Sequence, residues 1–219
     1  MTDGMRGPKF RRRAEKRPDE VLDAALALFV ENGFARTRVE DIAARAGVSK
    51  GAVYLYFPSK EAILEGLVRR AVLPIATSAL GALANFVGNP RPVIHAVLKM
   101  AAGRLSEPQT LAIARLLIRE MIHFPQFAAL YRREVLDHII PAVEQLVARG
   151  VAEGYFRPVD PNLTIRSIIG PLIVHMLMAE VFGIVPEGGL GIDRLVDNHL
   201  DILFDGLSAP ASDKRFMAT

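Results

Sequence analysis

Residues 37–60 read TRVEDIAARAGVSKGAVYLYFPSK, and this stretch decides the fold. Thr37-Arg38-Val39-Glu40 has the form of a capping box, in which Thr37 caps a helix and Glu40 reaches back to the free N–H groups. The run that follows keeps Val39, Ile42, Ala43 and Ala46 on one helical face and stops at Gly47. Gly47 supplies the left-handed conformation that a tight turn needs, and Val48 is placed to plug the corner. Ser49 then caps a second short helix over residues 50–57, with Val53 and Phe57 one turn apart and facing inward. Pro58-Ser59 separates it from another helix opening at Lys60-Glu61. The spacing predicts helix, tight turn, helix, the arrangement that offers a second helix to the major groove of DNA. Counting about 100° per residue from Val53, the outward arc carries Lys50, Gly51, Ala52, Tyr54 and Leu55, with Tyr56 at its margin. Gly51 and Ala52 suit a site where a partner must come close to the backbone.

Upstream, Pro18 suits the first turn of a helix whose stripe is Val21, Ala25, Leu28 and Phe29 and whose stop signal is Asn32-Gly33. Ahead of it, residues 1–17 read as a flexible basic arm holding Arg6, Lys9, Arg11, Arg12, Arg13, Lys16 and Arg17. Residues 1–60 carry twelve Lys and Arg against eight Asp and Glu, whereas the rest of the 219-residue chain carries fifteen against sixteen. A basic amino-terminal region on an otherwise neutral chain is the electrostatic footprint of a polyanion, most often nucleic acid. Downstream, Asn89-Pro90, Pro108, Phe124-Pro125, Gly154, residues 158–161 and residues 186–191 punctuate longer helical stretches. Pro74, Pro141 and Pro171 fall inside those stretches and are expected to kink or break them. No alternating strand pattern survives its neighbours. The expected fold is all-α with about nine helices, divided into the arm (1–17), a helix-turn-helix DNA-binding domain (18–66) and a helical ligand-binding and dimerisation domain (67–219).

Several chemistries fall away. The chain has no Cys, which excludes disulfides, thiolate metal sites and cysteine nucleophiles. Gly47-Val48-Ser49-Lys50-Gly51 matches the serine-hydrolase elbow in letters only, because the elbow needs a strand before the Ser. Glu120-Met121-Ile122-His123 has the spacing of a di-iron helix but no second copy, and the five His lack metal spacing. No metal or cofactor is expected. Residues 71–90 hold no charge, yet Leu73, Ala76, Leu80, Leu83 and Val87 step by three and four with Ser78, Gly81, Asn85 and Gly88 on another face. No membrane span is expected there, and the absence of an apolar signal core after MTDGMRGPKFRRR points to the cytoplasm.

The residues carry a resemblance. Leu26 to Phe29, Asn32-Gly33-Phe34, Thr37-x-Val39, Asp41-Ile42-Ala43, Ala46-Gly47-Val48-Ser49-Lys50-Gly51, Tyr54-x-Tyr56-Phe57 and Ser59-Lys60-Glu61 stand as they do in the tetracycline-repressor (TetR/AcrR) family of bacterial one-component regulators, which the chain resembles over residues 18–68. The resemblance implies a homodimer on a palindromic double-stranded operator, released by a small molecule, hence a transcriptional repressor rather than an enzyme. It further implies DNA contacts from Thr37, Arg38, Lys50, Gly51, Ala52, Tyr54, Leu55, Tyr56 and Lys60, with Lys60 on a phosphate. For the unknown effector, an apolar pocket with a few polar anchors is expected from Met121, Phe124, Phe127, Tyr131, His175, Met176 and Met178. The dimer seam is expected from Ile168, Leu172, Met176 and Ala179, together with Leu195, His199, Ile202 and Phe204 to Leu207. The competing reading is a helical small-molecule-binding or metal-dependent enzyme with an incidental basic arm; no catalytic constellation supports it.

Overall fold

The structure is a computed structural model that describes residues 8–84 and 86–207, with side chains from Arg17 onward. Its elements are α1 (Pro8–Asn32), α2 (Val39–Arg45), α3 (Lys50–Tyr56), α4 (Lys60–Ala71), α5 (Leu73–Ala84), α6 (Pro90–Leu105), α7 (Pro108–Glu120), α8 (Pro125–Tyr131), α9 (Asp137–Ala152), α10 (Pro161–Phe182) and α11 (Ile192–Leu207). A π turn, Arg132–Leu136, joins α8 to α9, and α4 meets α5 at Val72. Counted as continuous rods, the described residues form nine.

The punctuation acts largely as its chemistry dictates. Asn89 caps α6 by accepting from the Arg91 N–H at 3.1 Å, and Asp160 caps α10 by accepting from Asn162 at 2.8 Å and Leu163 at 3.1 Å. Pro90, Pro108, Pro125 and Pro161 each open a helix, where the missing N–H costs nothing. Pro74 follows the break at Val72, and Pro141 follows the π turn by a few residues. Pro171 lies inside α10, which continues through it.

Two expectations need correction. Residues 8–17 are not an irregular arm, since α1 runs from Pro8 and includes Pro18. Lys, Arg, Ala and Glu are strong helix formers, so the segment extends the helix behind it; residues 1–7 lie outside the described residues. The capping box sits one residue later than read. Arg38 is the N-cap of α2, and Asp41 Oδ2 accepts from its N–H at 3.2 Å. An arginine side chain has no acceptor to complete the reciprocal bond.

Two apolar cores organise the chain. The first joins Val21, Leu22, Ala25 and Phe29 of α1, Ile42 and Ala43 of α2, Val53 of α3 and Ile63, Leu64 and Leu67 of α4 to Ile113, Leu116 and Leu117 of α7 and Phe127 and Leu130 of α8. The amino-terminal core is therefore closed by residues from beyond position 110. The second core packs α5, α6, α9, α10 and α11 around Leu98, Leu146, Val147, Ile165, Ile168, Met176, Val196 and Leu200. Two helical stretches, Lys60–Ala84 and Pro161–Phe182, are long and apolar enough to cross a membrane by length and composition. The first carries Arg69 and Arg70 and contains the break at Val72. The second owes its hydropathy to being apolar on two opposite faces.

Candidate nucleic-acid interface

The helix-turn-helix closes as its sequence requires. Gly47 takes φ +67°, the Val48 N–H donates to Ala43 O at 3.0 Å, and Ala46 donates to Ile42 O at 2.9 Å. Ser49 Oγ accepts from the Ala52 N–H at 3.1 Å as the N-cap of α3, and the element before it is helix α2 rather than the strand an elbow needs. Val53 is fully buried, which turns Gly51, Tyr54 and Leu55 to solvent. Leu55 is 83% exposed.

The remaining expected contacts separate into outward and inward groups. Thr37, Arg38, Tyr54 and Lys60 come together around one open depression of about 420 Å³, which Ala35, Glu40, Pro58, Ser59 and Glu61 also line. Arg38 stands exposed at its rim, and Tyr56 is half-buried at the margin of α3. Lys50 donates to Glu40 Oε1 at 2.5 Å and lies 5.8 Å from the Tyr54 ring centroid. The hydrogen bond from Lys50 holds the Glu40 carboxyl below its ordinary pKa, and the same bond raises Lys50 above its own. Glu40 is thus an ion-pair partner across α2 and α3, not the carboxylate of a capping box.

Thr37 and Lys60 face the protein. Thr37 is 2% exposed, and its hydroxyl donates to Gly33 O at 2.9 Å and lies 3.2 Å from Leu28 O, which locks the turn after α1. Lys60 Nζ donates to the carbonyls of Phe34 at 2.7 Å, Thr37 at 3.0 Å and Ala35 at 3.1 Å, and it rides 4.4 Å over the Phe34 ring. An ammonium has three protons, and each has a carbonyl here. Burial pulls the Lys60 pKa below the ordinary lysine value, against the opposing pull of Glu61 and Glu120. The phosphate contact expected of Lys60 gives way to a staple between α4 and the α1–α2 turn. Lys60→Met is accordingly expected to lower unfolding free energy by about 1–3 kcal/mol while leaving the slope of log affinity against log salt unchanged. A slope flatter by about one would return Lys60 to the phosphates.

Glu120, at the end of α7, extends this staple across 86 residues of sequence: its Oε1 accepts from the Phe34 N–H at 3.3 Å. The Phe34 ring meets Phe124 at 4.9 Å and Phe127 at 5.1 Å, both edge-on. No local pattern announces this junction, because its two halves are unremarkable until the chain folds.

The expected effector pocket does not assemble. Phe127 is buried in the first core with Met121 and Phe124 packed on it, whereas Met176 is buried in the second. His175 Nε2 lies 2.5 Å from Leu190 O and His199 Nε2 3.0 Å from Ile168 O; a carbonyl only accepts, so both nitrogens carry the proton and both rings anchor backbone. Burial pushes the Tyr131 phenol above its usual pKa. Met178 is half-buried on α10. An open depression of about 400 Å³ between α5 and α9 is lined by Leu83, Ala84, Ala142, Gln145, Ala148 and Arg149, none of the seven.

The seam expectation is reversed on α10, whereas Ile202 of α11 is exposed as expected. Ile168 and Met176 lie in the second core with Leu172 packed on it, while Leu163, Ile173, Val174, Leu177 and Val181 form the exposed side of α10. The region between Arg166 and Glu180 has no charge on either side, so periodicity alone does not choose which face turns inward.

Comparison with known proteins agrees with this geometry. Residues 21–67 match the family model described as bacterial regulatory proteins, tetR family, and residues 88–181 match a tetracyclin repressor-like C-terminal domain. The transcriptional regulator RutR of Escherichia coli K12 is 34% identical over 152 residues, covering 68% of each chain. The chain belongs to the tetR family of bacterial regulatory proteins. This tetR-family regulator is also 27% identical over 215 residues to the transcriptional repressor KstR2 of Mycolicibacterium smegmatis, covering 90% of this chain and 94% of that protein. Among solved structures, SmeT, the repressor of the Stenotrophomonas maltophilia multidrug efflux pump SmeDEF, superposes with a TM-score of 0.71 at 27% identity, covering 89% of this chain and 91% of that one. A SmeT–triclosan complex superposes with a TM-score of 0.69 at 25% identity, covering 89% and 93%. As a family member, this regulator is a DNA-binding transcriptional regulator.

Proposed function

We propose that the regulator is a cytoplasmic, non-enzymatic repressor that binds a palindromic double-stranded operator as a homodimer and leaves it when a small molecule enters residues 67–219. The observation that carries this reading is α3 itself, a short capped helix whose outer face is exposed beside the depression ringed by Arg38, Tyr54 and Ser59. Arg38, Gly51, Ala52, Tyr54, Leu55 and Tyr56 are the residues we assign to DNA. Lys50 joins them once Glu40 yields it, and Thr37 and Lys60 act by holding the turn.

The dimer is supported by the outer face of α10. Leu163, Ile173, Val174, Leu177 and Val181, with Ile202 of α11, leave a large apolar surface uncovered. A second copy related by a two-fold axis covers this surface with the same surface of its own. That pairing also supplies two reading helices for two half-sites.

Release is supported by the shared core. Movement of α7 or α8 reaches α1 and α4 directly, through Glu120, Phe124, Phe127 and the Phe34 turn. Linkage makes the coupling reciprocal, so operator DNA weakens the effector by the same factor. The test is a gel shift with DNA upstream of the regulator's own gene, followed by a small-molecule screen read as loss of the shifted band. A shift that some compound reverses supports the reading; a shift that no DNA produces refutes it.

A further inference from the structure

The outer face of α3 carries Lys50 and Tyr54, with Tyr56 at its margin, beside a patch that has no polar side chain. Lys50 is engaged with Glu40 at 2.5 Å, and the contiguous patch next to it consists of Gly51, Ala52 and Leu55, which share one face at spacings of three and four residues. Leu55 projects from this patch at 83% exposure.

Gly51 adds an independent observation. A Cβ built at Gly51 meets only Ser49 Oγ, at 4.0 Å, and the residue does not take a positive φ. Neither packing nor backbone geometry therefore requires glycine here, although glycine weakens a helix relative to alanine. Gly66 on α4 makes the contrast. A Cβ there would lie 2.9 Å from Phe57 Cε1 and 3.0 Å from Leu22 Cδ2, so that glycine serves the fold. Gly81, Gly103, Gly170 and Gly206 are likewise helical glycines that packing does not require, and Gly51 is distinguished from them by lying on the exposed face of α3.

Resting on the operator-binding reading above, we propose that α3 reads its half-site chiefly by apolar contact with the 5-methyl groups of thymine, made by Leu55 and Ala52, with Gly51 letting the helix sink close to the base edges. Thymine methyl is the apolar group that the four bases present in the major groove. Side-chain donors for guanine or adenine are missing from the patch. The specificity of this regulator then lies in the positions of thymines within each half-site, and the polar groups around the patch set orientation on the backbone.

The test uses the full-length protein and a duplex selected by it from a random pool. Deoxyuridine replaces thymidine at one enriched position at a time, which removes the methyl and leaves pairing intact. At one or more positions per half-site the affinity is expected to fall about fourfold, the factor that corresponds to one methyl removed from water. Leu55→Ala is expected to lose the thymidine preference at the position Leu55 touches and to keep it at any position Ala52 touches. Gly51→Ala is expected to raise the melting temperature and to weaken operator binding tenfold or more. Deoxyuridine tolerated at every position on a duplex that the protein still binds would overturn the methyl readout and leave the operator reading intact. Failure to select any DNA would overturn both. A Gly51→Ala variant that binds as tightly as the parent would remove the close approach and, with it, the proposal.

Discussion

Replacing Val174 with glutamate is expected to yield folded monomers that bind operator DNA at least a hundredfold more weakly than the parent. Val174 is 55% exposed in the middle of α10, so within one subunit the new carboxylate stays in water and the helix keeps its packing. In the proposed dimer the same carboxylate is buried against an apolar partner face, at a cost of about 3–5 kcal/mol for an unpaired charge. One reading helix then covers only a half-site. Met176→Glu provides the contrast, because Met176 is 4% exposed in the second core and a charge there is expected to unfold that body. Sedimentation and thermal denaturation at matched protein concentration separate the two. A dimeric, stable Val174→Glu protein would place the seam elsewhere.

The second large effect is expected at Phe34. Its ring is 1% exposed and touches Phe29 at 5.2 Å, Phe124 at 4.9 Å and Phe127 at 5.1 Å, beneath the Lys60 ammonium. Truncation to alanine removes that burial and leaves a cavity, for a loss of about 3–5 kcal/mol in urea unfolding. Because the cavity opens where α7 and α8 meet the α1–α2 turn, the variant is also expected to blunt release from the operator by an effector. Glu120→Gln keeps an acceptor for the Phe34 N–H and is expected to change stability much less. A loss below about 1 kcal/mol in Phe34→Ala would mean that the cluster relaxes without it.

Local chemistry is decisive for much of the helix-turn-helix. Gly47 turns the chain, Ser49 caps α3, Val53 faces in and Leu55 faces out, and each of these follows from spacing within a few residues. The helical punctuation at Asn89, Pro108 and Asp160 was legible for the same reason. Elsewhere a second, distant partner decides the role, and spacing does not show it. Lys60 reads as a phosphate-binding cation until the carbonyls of Phe34, Ala35 and Thr37 fold around it. Phe124 and Phe127 read as pocket walls until Phe34 meets them from 90 or more residues away, and Met121 packs on the same core. On α10, Met176 and Val174 are both apolar, and the packing of the second core selects the inner one.

The most direct measurement for the whole proposal is selection of bound duplexes from a random DNA pool by the full-length protein. An α10-mediated two-fold dimer carrying one α3 per subunit predicts enrichment of an inverted repeat, its half-site centres separated by about one helical turn or a multiple of it. Enrichment of a single asymmetric site, or of no sequence at all, would contradict it.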